Sequence, residues 1–180
     1  GTIKTNISNG TWNLATANNL AAKGFPALDY LLFHADSTQI LAELSATDST
    51  GTRRRQYVTD VATEIYTLAT ATRQGWDAYR TPFVTSTGTD VGSAAGMFFN
   101  DYLFDFEILR RNKIGDCIGI RYLNTIRPEQ VEAYYSRWSQ ALAIANAQAH
   151  LRAFRGQSPN GTNGLGFDDW LNALETQGST

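Results

Sequence analysis

Apolar positions along this chain recur at spacings of three and four, and nowhere alternate long enough to suggest a strand. That period belongs to helices with one buried face. The clearest stripe, Val58, Val61, Ile65, Leu68, Thr72 and Trp76, predicts a long helix over 53–79 buried along one side. Thr81-Pro82 is expected to end it, because proline disfavours helical geometry in the residue before it. Val91, Ala95, Phe98, Tyr102 and Leu109, widened by Phe99, Leu103 and Phe106, predict a mostly buried helix over 90–112. Residues 26–34 are apolar nearly all round, and Pro26 suits a first helical turn. Alanines at 141, 143, 145, 147 and 149 fill a helix over 137–154, so a neighbouring helix can approach it closely.

The residues between these runs act as punctuation. Residues 1–10 read as a lead-in, followed by a helix over 12–23 that Gly24 closes. Asp36-Ser37 caps a short helix over 38–44, and 46–52 reads as a loop rich in N-caps. Residues 83–88 form a Ser/Thr loop and 114–127 an ordered loop without period. Arg127-Pro128 opens a short helix to 133, and Ser136 is placed to cap the next. A turn-rich linker over 158–166 leads to a last amphipathic helix, 167–174, with Asp168 and Asp169 in its first turn. The prediction is an all-α fold of helical bundles, with 1–82 as the end of one bundle plus a long connecting helix and 83–180 as a second bundle.

Composition narrows the function classes. In 180 residues, 42% hydrophobic and 12% aromatic content is enough for a sizeable core. A net charge of −2, with Arg53-Arg54-Arg55 as the one basic cluster, gives no footprint for nucleic acid. Cys117 is alone, so no intrachain disulfide forms, and its Ile neighbours suggest a buried, inert thiol. No run approaches the roughly 18 apolar residues of a membrane span, and no signal peptide is visible. Lysine is scarce and Thr, Ser, Asn and Gln are plentiful, a surface that suits an exported protein.

Catalytic patterns are thin. With only His34 and His150, a multi-histidine zinc site cannot be built, and no His-Glu-x-x-His occurs. There is no Gly-x-Ser-x-Gly elbow, and neither histidine has an obvious acidic orienter. Asp29 stands out as a carboxylate in an apolar helix, where it must be paired or neutral. Arg121, Arg127 and Lys113 are its candidate partners. Glu132, Ser136 and Ser139 can gather if the chain turns there, and Trp12, Trp76, Tyr134, Tyr135 and Trp138 are either core or pocket wall.

Four segments carry a resemblance. Lys23-Gly-Phe-Pro-Ala-Leu-Asp-Tyr-Leu-Leu-Phe33 resembles the signature of the imelysin-like family, Gly-x-His-x-x-Glu followed by a Tyr/Phe-Leu-Leu-Phe run. Asn112-Lys-Ile-Gly115, Val131-Glu-Ala-Tyr-Tyr-Ser-Arg-Trp-Ser139 and Gly164-Leu-Gly-Phe-Asp-Asp-Trp-Leu171 resemble later elements of that family in the same order. The resemblance spans residues 12–174. It implies two packed helical bundles, a periplasmic, cell-surface or lipid-anchored location in bacteria, a link to iron acquisition and, in some members, peptidase activity. Iron or zinc is the cofactor it suggests, although this chain by itself gives no reason to expect one.

Two departures shape the expectation. Only about two dozen residues precede the signature, so part of an N-terminal bundle is expected to lie in a missing segment or a second chain. The family's His falls on Pro26, which offers no lone pair to a cation, and its Glu falls on Asp29. The candidate site is therefore Gly24, Pro26, Asp29, Glu132 and Ser136, expected to line a pocket between bundles. It reads as a non-catalytic binding site for metal or a small ligand, with Asp29 as a weak metal ligand. A metallopeptidase completed by ligands from outside the chain, and a purely structural bundle, are the competing readings.

Overall fold

A computed structural model describes residues 1–178. In chain order they form α1 (Thr2–Asn9), a 3-10 helix (Ala17–Ala22), α2 (Gly24–Phe33), α3 (Ser37–Ser45) and α4 (Ser49–Thr85). There follow α5 (Ala94–Ile108), its π-helical continuation (Leu109–Asp116), a 3-10 turn (Pro128–Gln130), α6 (Ser139–Phe154) and α7 (Phe167–Gly178). The fold is all-α: among the described residues the single β interaction is an isolated bridge between Gln157 and Asn163. The chain divides into two compact units, one of Gly1–Thr89 with Glu132–Trp138, the other of Asp90–Val131 with the chain from Ser139 onward.

The first unit is built on the N-terminal half of α4. Tyr57 and Val61 on that helix and Leu31 on α2 are fully buried, with Ile7 of α1 and Ala27 of α2 beside them. Residues 1–10 are thus more than a lead-in. Ile3 and Ile7, one turn apart, turn the start of the chain into a helix that packs on this core. The predicted helix over 12–23 shrinks to the 3-10 segment 17–22, because Asn side chains compete for its backbone. Asn13 Oδ1 accepts from the Ala15 amide at 3.0 Å, and Asn19 Nδ2 donates to the Asn13 carbonyl at 2.9 Å. Trp12 still reaches the core, edge-on to Tyr57 at 4.9 Å, with its indole N–H donating to Asp60 at 2.9 Å.

α4 starts four residues before the predicted point. Asp48 captures the Gly51 amide at 2.7 Å and nucleates the helix there. It also passes through Pro82 to Thr85, where the Thr85 hydroxyl donates back to the Thr81 carbonyl at 2.9 Å. Its apolar stripe is buried only in part. Val61 is sealed and Val58 and Ile65 are half-buried, but Leu68 and Trp76 are about half exposed (57% and 45%), because α1, α2 and α3 flank only the first half. The three arginines at its start tie down other elements. Arg53 donates to the Ser8 carbonyl at the end of α1, Arg55 to the Leu44 and Ala46 carbonyls at the end of α3, all at 2.7 Å. Cations at helix C-termini also complement the dipole.

In the second unit α5 begins at Ala94 and, past Ile108, widens into a π-helical stretch that ends at Asp116, beyond the predicted 112. Its apolar residues are less buried than the pattern predicts: Phe98, Phe99, Leu103 and Phe106 are each 39–48% exposed. Their rings gather on Phe167 of α7, which Phe98 stacks against at 5.6 Å and Phe99 meets edge-on at 5.3 Å. The loop expected over 114–127 starts later, since 114–116 belong to the π-helical stretch; residues 117–124 form turns, closed by the Arg127 amide donating to the Cys117 carbonyl at 2.9 Å. Cys117 is half-buried, and its thiol donates to the Ile114 carbonyl at 2.9 Å.

Candidate functional site

The signature segment forms the start of α2. Gly24 opens the helix with φ +71°, a backbone conformation that L side chains rarely adopt. Lys23, just before it, pairs with Glu64 of α4 at 2.9 Å. Pro26 occupies the first turn, exposed, where its missing amide hydrogen has no intrahelical acceptor anyway.

Asp29, one turn on, is half-buried, and both of its carboxylate oxygens are engaged. Oδ2 accepts the Tyr135 amide at 2.9 Å and Oδ1 accepts the Ser136 amide at 3.0 Å. Two successive amides converging on one carboxylate make a small backbone nest for an anion. The nest requires a contorted chain: Ala133 (φ 51°) and Arg137 (φ 61°), on either side, are both left-handed without being glycine. Such residues persist only where the surroundings over-determine them. The predicted helix to 133 therefore ends at Gln130, and Ser136 caps no helix. α6 begins three residues later, and the Ser136 hydroxyl instead donates to the Ala133 carbonyl at 3.4 Å.

The structure thus brings Asp29 and Ser136 together within the first unit, backbone to side chain. Glu132 lies on the same segment and is exposed. The basic partners expected for Asp29 are replaced by main-chain amides. Arg121 instead contacts Asn112 Oδ1 at 3.1 Å and Asp116 at 3.7 Å, and Arg127 lies 3.8 Å over the Tyr122 ring.

Both histidines have carboxylate partners, contrary to the expectation that neither has an acidic orienter. His34 is the C-cap of α2, with Nδ1 2.9 Å from the Tyr30 carbonyl and Nε2 3.4 Å from Glu43 Oε2. That same oxygen lies 2.9 Å from an Arg54 guanidinium nitrogen. His150 on α6 is 7% exposed, with Nε2 2.9 Å from Asp105 Oδ2 of α5. The partners sit on different helices in each case, so no local motif reveals them.

Beside Asp29, Tyr30 faces Tyr135 edge-on at 5.3 Å and stacks on His34 at 4.7 Å. Its hydroxyl is buried and makes no hydrogen bond. Tyr30 and Tyr135 line a cavity of about 510 Å³ with Lys4, Ile3 and Ala21, a volume in the range of small-molecule sites. Sequence reasoning missed Tyr30 and Lys4; an unsatisfied hydroxyl is a tertiary fact.

A transition metal fits poorly at the signature. Pro26 has no donor atom, Asp29 already spends both oxygens on amides, and among the described residues no three His, Cys, Asp or Glu side chains are grouped to hold an ion. A family model described as Imelysin matches residues 3–176. This chain belongs to the imelysin family. No curated protein and no solved structure matches it. Within this chain Asp29 anchors the segment at 135–136 through its two oxygens. No helix among the described residues is long and apolar enough to cross a membrane.

Proposed function

We propose that this imelysin-family chain is a non-catalytic binding protein of the bacterial envelope, periplasmic or cell-surface, that serves metal or iron uptake. The observation that carries the reading is the engagement of both Asp29 oxygens by the Tyr135 and Ser136 amides. A carboxylate held in this way positions backbone, and that is the role we assign to it. The adjacent cavity supplies the binding chemistry. It offers a buried phenol donor at Tyr30, a cation at Lys4 and aromatic walls, a set suited to a small oxygen-rich anion such as a carboxylate chelate of iron. Family membership and the lysine-poor, polar surface support an exported location.

Calorimetric titration with ferric citrate tests this. Saturable binding is expected, weakened about tenfold by Tyr30→Phe or Lys4→Gln, a change equivalent to ~1.4 kcal/mol. Chelator-sensitive cleavage of an unstructured protein that is lost in Asp29→Ala would overturn the proposal in favour of a metallopeptidase. Absence of any binding would leave a structural bundle.

A further inference from the structure

The turns that follow the π-helical stretch present apolar side chains to solvent on a stiff frame. Leu123 is 97% exposed, and Ile118, Ile120 and Ile126 are 50–72% exposed. Single exposed apolar residues are ordinary, but four within nine residues form a patch of the kind that marks an interaction surface. Leu123, the most exposed of them, has φ 53° and is followed by Asn124 with φ 61°. Two successive left-handed residues, one of them a leucine, are costly and persist only where the surroundings hold them.

The frame is the loop's own backbone. The amides of Ile120, Tyr122, Asn124, Thr125 and Arg127 all donate to carbonyls between Gly115 and Tyr122, at 2.9–3.0 Å. Gly119, at φ +84°, lets the chain pass beside Thr125, whose backbone a Cβ there would strike. A loop whose amides are met internally can enter an apolar boundary without leaving those donors bare.

The charge around the patch is basic. Residues 107–127 carry Arg110, Arg111, Lys113, Arg121 and Arg127 against Glu107 and Asp116, in a chain whose net charge is −2. Glu107 pairs with Arg110 at 3.1 Å and with Arg111 at 3.2 Å, and Asp116 with Arg121 at 3.7 Å, yet the three arginine side chains stay 49–68% exposed. The Arg127 guanidinium lies 3.8 Å over the Tyr122 ring. Both side chains have an apolar body and a polar end, which suits the headgroup level of a bilayer.

From this combination we propose that the 118–126 loop docks on an anionic phospholipid surface. Ile120, Leu123 and Ile126 enter the headgroup boundary, and the basic residues around them meet lipid phosphates. In such binding, buried apolar area and attraction to anionic lipid reinforce one another. A partner protein would have to supply a socket for Leu123; a bilayer boundary needs none. The surface uses no residue of the Tyr30 cavity, and the inference stands without the binding function assigned there.

Sedimentation of the full chain with lipid vesicles tests it. Vesicles of equal parts phosphatidylglycerol and phosphatidylcholine are expected to bind the protein, phosphatidylcholine alone to leave it in solution, and salt at about 1 M to release it. Leu123→Asn should weaken binding about tenfold with no loss of melting temperature, since asparagine tolerates the left-handed conformation. Arg110→Gln combined with Arg111→Gln, both exposed, should weaken it about as much while leaving the loop itself untouched. Leu165→Asn, which removes a leucine 92% exposed outside the loop, should leave binding unchanged. The proposal is overturned if anionic vesicles do not bind, if neutral vesicles bind equally well, if the Leu123 or arginine variants bind like the unaltered chain, or if Leu165→Asn loses as much as Leu123→Asn.

Discussion

At the scale of single residues, Asp29 and Tyr57 show how one polar atom can organise a region. Asp29 holds two amides with a charged acceptor, and hydrogen bonds to charged groups contribute about 1.5–3 kcal/mol each. Asp29→Ala is expected to lower stability by roughly 2–4 kcal/mol and to free the strained segment around Ala133 and Arg137. Faster amide exchange at Tyr135 and Ser136 would report it. Tyr57 is sealed in the core, its hydroxyl donating to the Ala22 carbonyl at 2.8 Å and accepting from Asn6 Nδ2 at 3.1 Å. Burial pushes its pKa above the ordinary 10.0; the Asn6 hydrogen bond opposes this and the negative charge of Glu64 adds to it. The folded state therefore keeps the proton that the unfolded chain gives up. This contribution to stability is complete below pH 10 and is lost as pH rises through the raised folded value. Thermal melts from pH 8 upward should show a decline near and above pH 10 that Tyr57→Phe reduces, from a starting stability about 1–3 kcal/mol lower because two buried partners are left unmet.

At the scale of elements, helix ends are decided by side chains that reach back to the backbone. Asp36 accepts the Gln39 amide at 2.9 Å and Asp48 the Gly51 amide at 2.7 Å, so the boundaries of α3 and α4 follow from local chemistry. Asp48→Ala is expected to cost about 1 kcal/mol and fray the first turn of α4, visible as reduced helicity on heating. Gly51 presents the opposite case. In an open helix, Gly→Ala gains about 1 kcal/mol, but here an added Cβ would collide with the Ala46 backbone where α3 meets α4. Gly51→Ala should therefore lower the melting temperature, and a rise would show that the corner can relax. The Asp36 cap of α3 was legible in the sequence because its cause lies within a few residues, whereas Gly24, read as the end of a helix over 12–23, opens α2 instead. The conversion of 12–23 into a 3-10 segment was less legible, since asparagine favours either outcome until the core beside it is fixed.

At the scale of the whole molecule, stability in the first unit rests on a small cluster, Leu31, Tyr57 and Val61 with Ile7 and Ala27. Leu31→Ala is expected to cost about 2–5 kcal/mol, enough to bring forward the denaturant unfolding of that unit. The sequence by itself determined the all-α class, the positions of most helices and the family, because periodicity, caps and motif order are properties of contiguous residues. Tertiary structure alone decided which half of the α4 stripe is covered, which carboxylate faces each histidine, and that Asp29 meets the amides of residues 106 and 107 positions away. Those facts depend on which helix lies beside which, and a one-dimensional pattern records the face a helix offers without recording what covers it.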